Sequence, residues 1–262
     1  MNMSSGTFHL SPCAPITKFF KDKSVKEVRE NTSHINAHLI SFKRWLRSMP
    51  HLSCADDDRI FLPFLRQAKY NHSEAQMRLD NFITLRTSPE SPVVNWYDRS
   101  TITNTILDEY LNMGFHCPIG FLHDGTFLFL IRIGCWNNNR VSTESVLKLL
   151  MIQLDRILED PRVQICGLRV FIDFTGVSPS LLDTINPKKT IKDLSKVLQV
   201  GECIMKGSIS VLIAISRLQP VFELKMLTVD KAILCDFDES VIVQYFQTVS
   251  LLRRKMKYDW SL

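Results

Sequence analysis

The sequence predicts an α/β protein in which an N-terminal all-helical subdomain precedes an α/β domain with a mostly parallel sheet covered by helices. In the first third of the chain, apolar residues recur at spacings of three and four, which is typical of amphipathic helices. From residue 125 onward, short β-rich apolar runs alternate with helical patterns. Because right-handed crossovers join successive parallel strands, this alternation indicates a largely parallel sheet.

The N-terminal part is predicted to hold a leader and a helical subdomain. Residues 1–25 show no period and are expected to form a loose leader, and helices are expected over residues 26–92. The first helix is expected over Val28–Arg47, because its apolar residues fall on one face and Pro50 follows its end.

Two more helices are expected before the boundary between the two parts. One covers Asp56–Ala68, with a kink at Pro63 because proline has no amide hydrogen to donate. The other is expected to begin at a capping box formed by Ser73 and Gln76. The segment 88–92, which is rich in serine and proline, marks the predicted domain boundary.

The remaining residues, 93–262, are assigned to the α/β domain, whose pattern is less clear from about residue 200. A buried strand is expected over residues 127–133, opened by the turn dipeptide Asp124-Gly125. The other expected elements are helices over Thr101–Met113, Thr143–Leu158, within Ser180–Leu198 and over Asp238–Lys257, and strands over Gly167–Phe174 and Ser208–Ser216.

The charge and hydropathy of the chain exclude several classes of protein. There are 32 Lys and Arg residues against 27 Asp and Glu, which gives a formal charge of +5. Nucleic-acid-binding proteins usually show a stronger and clustered basic excess, so no nucleic-acid partner is expected. The longest purely apolar run, Val211–Ile215, is far shorter than the roughly 18 to 20 residues of a membrane-spanning helix.

The N-terminus and the cysteines indicate the compartment. Met1–Pro15 lacks the charged start and apolar core of a secretory signal peptide, so a cytoplasmic protein is expected. The 7 cysteines are scattered and form no C-x-x-C pair. We therefore expect reduced thiols, and neither a disulfide framework nor a zinc site.

Motifs for catalysis and for cofactor binding are missing from the sequence. It contains no G-x-G-x-x-G, G-x-x-x-x-G-K-[ST], G-x-S-x-G or H-E-x-x-H pattern, so we expect no enzyme activity, no catalytic residue and no cofactor. His34 and His38 share a helical face without a third ligand nearby, so no metal site is expected. Asp173 is interpreted as bracing a turn, and Arg132 must reach water or find a salt-bridge partner.

Several runs of residues resemble the CRAL-TRIO family. Asp58–Tyr70 resembles the helical signature of the family's N-terminal part, with an acidic residue, a leucine-rich run and a Lys-Tyr pair. Arg132–Gly134 and Gly167–Val177 resemble the arginine–glycine and strand–aspartate–glycine landmarks of its second half. The likeness covers about residues 28–200. Within the family, the chain is similar to the α-tocopherol-transfer and retinaldehyde-binding branch. Its specificity lies in the ordered set of motifs.

The resemblance implies a helical subdomain packed on a sheet whose face forms a closed apolar cavity for one lipid, such as a retinoid, tocopherol or phospholipid. The apolar strands fit this expectation, because aliphatic and aromatic side chains line most lipid sites. The candidates for the cavity wall are Phe127, Phe129, Ile131, Phe171, Phe174, Val211 and Ile213 on the strands, and Leu150 and Leu154 on the covering helix. Ordinary core packing is the alternative for each of them.

The resemblance also implies transient docking at membranes that contain phosphoinositides. The candidate headgroup contacts are Lys188, Lys189, Lys192, Lys206, Arg217 and Lys225. For the first three, a solvated helix face is the alternative. The family's gate helix is not identified after Pro220. A monomeric lipid carrier is therefore the leading hypothesis, and the alternative is a non-carrier protein- or membrane-interaction module with the same fold.

Overall fold

The computed structural model describes residues 10–173, 176–178 and 181, together with the backbone of residues 209–214. All of them belong to one compact unit, Met1–Ser216. The helices are α1 (Lys18–Val28), α2 (Ile35–Arg47), α3 (Asp58–Gln67), α4 (His72–Thr87), α5 (Asn104–Met113), α6 (Thr143–Leu158) and α7 (Pro161–Cys166). The strands are β1 (His116–Phe121), β2 (Phe127–Arg132), β3 (Leu168–Asp173) and β4 (Ile209–Ala214).

The four described strands form one sheet in the order β1-β2-β3-β4. β1 and β2 are antiparallel, whereas β2, β3 and β4 are parallel to one another. The α/β fold with a mostly parallel sheet, predicted from the alternation of strand and helix patterns, is confirmed.

The antiparallel strand β1 was not predicted. It contains Pro118 and Gly120, two residues that are rare in strand interiors, and its pairing with β2 is irregular between them. β1 joins β2 through a turn at Asp124 and Gly125, where the Asp124 carboxylate accepts a hydrogen bond from the Thr126 amide at 2.9 Å. The turn predicted at this dipeptide is therefore present, and it connects two paired strands.

The hydrophobic core runs from the N-terminal helices to the sheet. Phe61 and Leu79 of the helical part belong to the same buried cluster as Phe129 of β2 and Leu149 of α6. The domain boundary at residues 88–92 stays a prediction. The buried side chains on its two sides belong to one core.

The predicted loose leader needs a correction, because residues 18–25 are part of helix α1. Ser24 and Val28 are buried on its inner face, and Phe20 packs edge-on against Phe121 at 5.8 Å between ring centroids. The helix was missed because its outer face is mostly charged and gives only a weak apolar period.

One further local prediction is wrong, and one short helix was not predicted. Helix α4 is capped by Asn71, whose side chain accepts a hydrogen bond from the Glu74 amide at 3.3 Å, so the predicted Ser73 capping box is wrong. Helix α3 continues through Pro63 to Gln67. The short helix α7 was not predicted, although Asp160 caps it and proline occupies its first position. The helix predicted over Asp238–Lys257 lies outside the described residues, as does the one within Ser180–Leu198 except for Leu181.

A buried ion-pair network joins the N-terminal helices to α7. The Arg66 guanidinium donates to the Glu30 carboxylate at 2.6 Å and to the Gln164 side-chain oxygen at 2.6 Å. The Tyr70 hydroxyl donates to the same carboxylate at 2.8 Å. Arg66 and Glu30 are only 3% and 4% exposed, so each charge depends on the other for its stability inside the protein.

We expect Arg66→Met to destabilise the protein by about 3–5 kcal/mol, because it leaves the buried Glu30 carboxylate without its counter-ion. Arg59→Met is the matched control, since Arg59 lies on the same helix and pairs with Asp57 at the exposed surface. Its loss should not change the unfolding midpoint measurably. Urea denaturation of both variants measures the difference, and equal midpoints would contradict the structural importance of the network.

The turn between β1 and β2 depends on Gly125 for two separate reasons. Its φ is +84°, which favours glycine, and an added Cβ would lie 2.8 Å from the Phe19 ring and 2.9 Å from the Cys166 sulfur. α1 therefore packs against the turn closely enough to leave no room for a methyl group.

Gly125→Ala is expected to lower the free energy of unfolding by about 2–4 kcal/mol, because backbone strain and overpacking act together. Gly176 separates the two effects, since its φ is +81° but no described residue lies within 4 Å of an added Cβ. Gly176→Ala should cost only about 1–2 kcal/mol of strain. If urea denaturation shows that the two variants lose the same free energy of unfolding, the close contact with α1 does not contribute to the effect of Gly125→Ala.

Candidate functional site

The strand residues predicted to line a lipid cavity fall on two different faces of the sheet. Phe127, Phe129 and Ile131 alternate along β2 and therefore share one face, which we call the first face. The register places Phe129 opposite Val170, and Leu130 opposite Phe171. Phe171 consequently belongs to the second face, together with Leu128 and Leu130.

The first face and α6 contribute to the same buried cluster. Phe127, Phe129, Ile131 and Leu150 belong to one buried cluster, and Leu154 is partly buried against it. The structure therefore brings five of the predicted wall residues together. Phe127 and Phe129 are 0% exposed, which means that side chains surround both rings.

The neighbouring strand adds residues that the sequence analysis missed. Leu168, Val170 and Ile172 are the register partners of the three first-face residues of β2. Alternation could have grouped these three residues, but only the register shows that they share a face with Phe129. Val211 and Ile213 of β4 occupy the register positions next to Val170 and Ile172.

The remaining predicted site residues lie outside the described residues. They are Phe174 of the predicted wall and all the headgroup candidates, Lys188, Lys189, Lys192, Lys206, Arg217 and Lys225.

A buried histidine on β1 adjoins the first face. His116 is the register partner of Ile131, its ring lies 5.5 Å from the Phe129 ring, and it pairs with the Tyr110 hydroxyl. Burial lowers the pKa of His116 well below its usual value, and its Nε2 atom has no hydrogen-bond partner. The imidazole is therefore neutral, which suits an apolar site.

A polar cleft opens where β2 and β3 end. It has a volume of about 330 Å³ and lies at the carboxyl edge of the sheet, where ligands of parallel sheets usually bind. Its lining residues are Gly134, Cys135, Trp136, Asn137, Asn138, Gly176, Ser178 and Leu181. Asn137 and Asn138 are exposed, so the cleft is accessible from solvent.

Two charged residues end the strands beside this cleft. Arg132 and Asp173 are register partners at the last positions of β2 and β3. The Nε atom of Arg132 is buried without a hydrogen-bond partner among the described residues.

The described residues hold no cluster of three His, Cys, Asp or Glu side chains that could bind a metal. His38 contacts His72 at 2.9 Å between ring nitrogens, and burial together with the neighbouring His72 and His34 lowers the pKa of His38. Cys13, Cys54, Cys117 and Cys166 are free thiols. Burial raises the pKa of Cys166 to about 11, so this sulfur is a poor nucleophile at neutral pH.

Within the described part of the chain, every helix is too short or too polar to span a bilayer.

Comparison with known proteins finds a domain family that matches part of the chain. Residues 111–214 match the family model described as the CRAL/TRIO domain, and these residues include all four described strands and α6. Over this range, the resemblance predicted from the sequence is confirmed.

Curated relatives agree with this assignment at low sequence identity. Clavesin-2 of Homo sapiens is 21% identical over 168 residues, which cover 63% of this chain and 50% of that protein. Clavesin-1 of Mus musculus is 22% identical over 168 residues, covering 63% and 46%. Alpha-tocopherol transfer protein-like of Mus musculus is 24% identical over 143 residues, covering 54% and 40%. The chain thus spans about half the length of the curated relatives it matches, or less.

The neutral His116 makes stability depend on pH. In the unfolded chain the imidazole takes up a proton below about pH 6.5, whereas in the folded protein its lowered pKa keeps it neutral. The contribution of His116 to the free energy of unfolding is therefore fully present above about pH 6.5. As the pH decreases below this value, the free energy of unfolding should decrease by up to about 1.4 kcal/mol per pH unit.

We expect His116→Gln to remove this part of the slope between about pH 6.5 and 5, because glutamine does not titrate there. Urea denaturation at a series of pH values measures the effect. A slope that is the same in the variant and the unmodified protein would show that His116 is protonated in the folded state.

Proposed function

We propose, on the basis of the CRAL/TRIO match of residues 111–214, that this protein binds one hydrophobic lipid and transfers it between membranes without covalent chemistry. The lipid belongs to the retinoid, tocopherol or phospholipid class. The similarity to alpha-tocopherol transfer protein-like of Mus musculus supports a transfer function for this chain.

The observation that carries this proposal is the apolar first face of the sheet. Phe129, Ile131 and Val170 lie on the same face there, and they belong to one buried cluster with Leu150 of α6. Such a surface buries an acyl or polyene chain by the hydrophobic effect and needs no charged partner. In this proposal Leu168, Val170 and Ile172 replace Phe171 in the wall, because Phe171 belongs to the second face.

Docking at anionic membranes forms the second part of the proposal. Its support is the formal charge of +5 of the chain, together with the resemblance, which places Lys206 at a basic position of the family. Charge attraction of this kind delivers a carrier to phosphoinositide-rich surfaces, where the lipid can be exchanged.

The alternative function is an interaction module that keeps the fold without a lipid cavity. Its support is the complete burial of Phe127 and Phe129, since a face filled by its own side chains has less room for a ligand. Mass spectrometry of lipids extracted from the purified protein decides between the two. One lipid class at near-equal molar ratio supports the carrier, and failure to take up any retinoid, tocopherol or phospholipid would support the module.

Two variants on β3 test which face binds the lipid. Val170→Phe fills space on the first face and is expected to reduce uptake of a fluorescent lipid at least about tenfold, a loss of about 1.4 kcal/mol. Phe171→Trp enlarges a neighbouring side chain on the second face and should leave uptake unchanged. Thermal unfolding confirms that both variants are folded. Loss of uptake in Phe171→Trp alone would place the lipid on the other face.

A further inference from the structure

Helix α1 carries exposed apolar and exposed basic side chains on the same short element. Among the described residues, four large apolar side chains are exposed, and two of them, Phe19 and Val25, belong to α1 with exposed fractions of 44% and 61%. Lys18, Lys21 and Lys26 of the same helix are exposed as well. A single exposed apolar side chain needs no explanation, but apolar and basic side chains grouped in this way indicate a surface that meets a partner.

The exposed residues share the outer side of α1. Residues 18, 21, 22, 25 and 26 follow one another at the spacings that bring residues onto one side of an α-helix, and residue 19 lies at the edge of this stripe. The inner side holds the buried Ser24 and Val28 and packs on α7 and on the turn at Gly125. We define the α1 face as the six exposed residues Lys18, Phe19, Lys21, Asp22, Val25 and Lys26.

The positive charge of the α1 face is not neutralised by neighbouring carboxylates. Its three lysines form no ion pair within the described part of the chain, whereas Lys23, at the edge of the face, pairs with Glu27 at 3.0 Å. On α2, by comparison, Lys43 pairs with Asp56 at 2.8 Å. Three lysines against the one carboxylate of Asp22 leave the α1 face with an excess of two positive charges.

This composition matches the surface of an anionic membrane. Lysines attract acidic lipid headgroups, and their long aliphatic stems let the charges stay in the headgroup layer while neighbouring apolar side chains reach the acyl chains. A nucleic acid would attract the lysines but would leave Phe19 and Val25 in water. A lipid surface provides a favourable environment for both kinds of side chain.

We propose that the α1 face docks the protein on anionic membranes, with its three lysines at the acidic headgroups and Val25 in the lipid layer. The proposal rests on the docking part of the proposed function and adds a surface outside the predicted headgroup set. It does not require lipid uptake at the first face. Because α1 is packed on α7 and on the turn at Gly125, docking through this face also orients the sheet relative to the membrane.

Flotation of the full chain with lipid vesicles tests the proposal. The unmodified protein should bind vesicles of equal parts phosphatidylcholine and phosphatidylserine, and it should bind pure phosphatidylcholine vesicles at least about tenfold more weakly. A double variant, Lys21→Gln with Lys26→Gln, should weaken binding to the acidic vesicles at least about tenfold, because two headgroup contacts are lost. Val25→Gln should weaken it at least about threefold, since glutamine does not enter the lipid layer.

A second double variant is the matched control. Arg44→Gln with Arg156→Gln removes the same charge from exposed arginines of α2 and α6, which form no ion pair with a described residue. This control should bind acidic vesicles as well as the unmodified protein does. Equal losses in the two double variants would show that overall charge causes docking, and would overturn the proposal. All the substituted side chains are exposed, so thermal unfolding should confirm that each variant is folded.

Two further measurements separate this proposal from the proposed function. Lys188→Gln with Lys189→Gln removes two members of the predicted headgroup set. If this variant loses vesicle binding while the α1 variant keeps it, docking occurs at the headgroup set and the α1 proposal is wrong. No vesicle binding by the unmodified protein would overturn both. Lipid uptake, measured by mass spectrometry, should be the same in the α1 variant and the unmodified protein, so failure of the carrier function leaves the docking result intact.

Discussion

The guanidinium of Arg66 lies inside the protein, where an unpaired charge would be far less stable than in water. It is held by the Glu30 carboxylate, the Gln164 amide oxygen and, through Glu30, the Tyr70 hydroxyl. These groups come from the segment after α1, from α3 and its end, and from α7. The position of α7 in turn sets where β3 begins, because Cys166 and Leu168 are two residues apart. The packing of the N-terminal helices on the sheet thus depends on satisfying one buried charge.

Elements with strong apolar patterns were predictable, and those formed by tertiary contacts were not. α6, β2 and β3 have long apolar runs or clear periods, and their predicted limits agree with the structure within two residues. β1 contains Pro118 and Gly120 and depends on pairing with β2 for its conformation. α1 buries little more than Ser24 and Val28, so a weak intrinsic period is completed by packing on the sheet.

The same distinction applies to the candidate site. The apolar character of the wall residues was visible in the sequence, but the face to which each belongs depends on register, which pairs Phe129 with Val170 and leaves Phe171 on the other side. A shift of one residue would have reversed the two sets. Arg132 was recognisable as a charge within an apolar strand. That its Nε atom is buried without a hydrogen-bond partner could be seen only from the positions of the neighbouring side chains.

Contacts that close the N-terminal part are distant in sequence. The Ser11 amide donates to Asp160 at 3.1 Å, across 149 residues, and Arg66 reaches Gln164 across 98 residues. Contacts between such distant residues form late, because the intervening chain must first lose its conformational freedom. During synthesis, the first helices also leave the ribosome long before Asp160 and Gln164 have been translated. The N-terminal region completes its packing only when α7 has been translated, so folding of the two parts is coupled in time as well as in space.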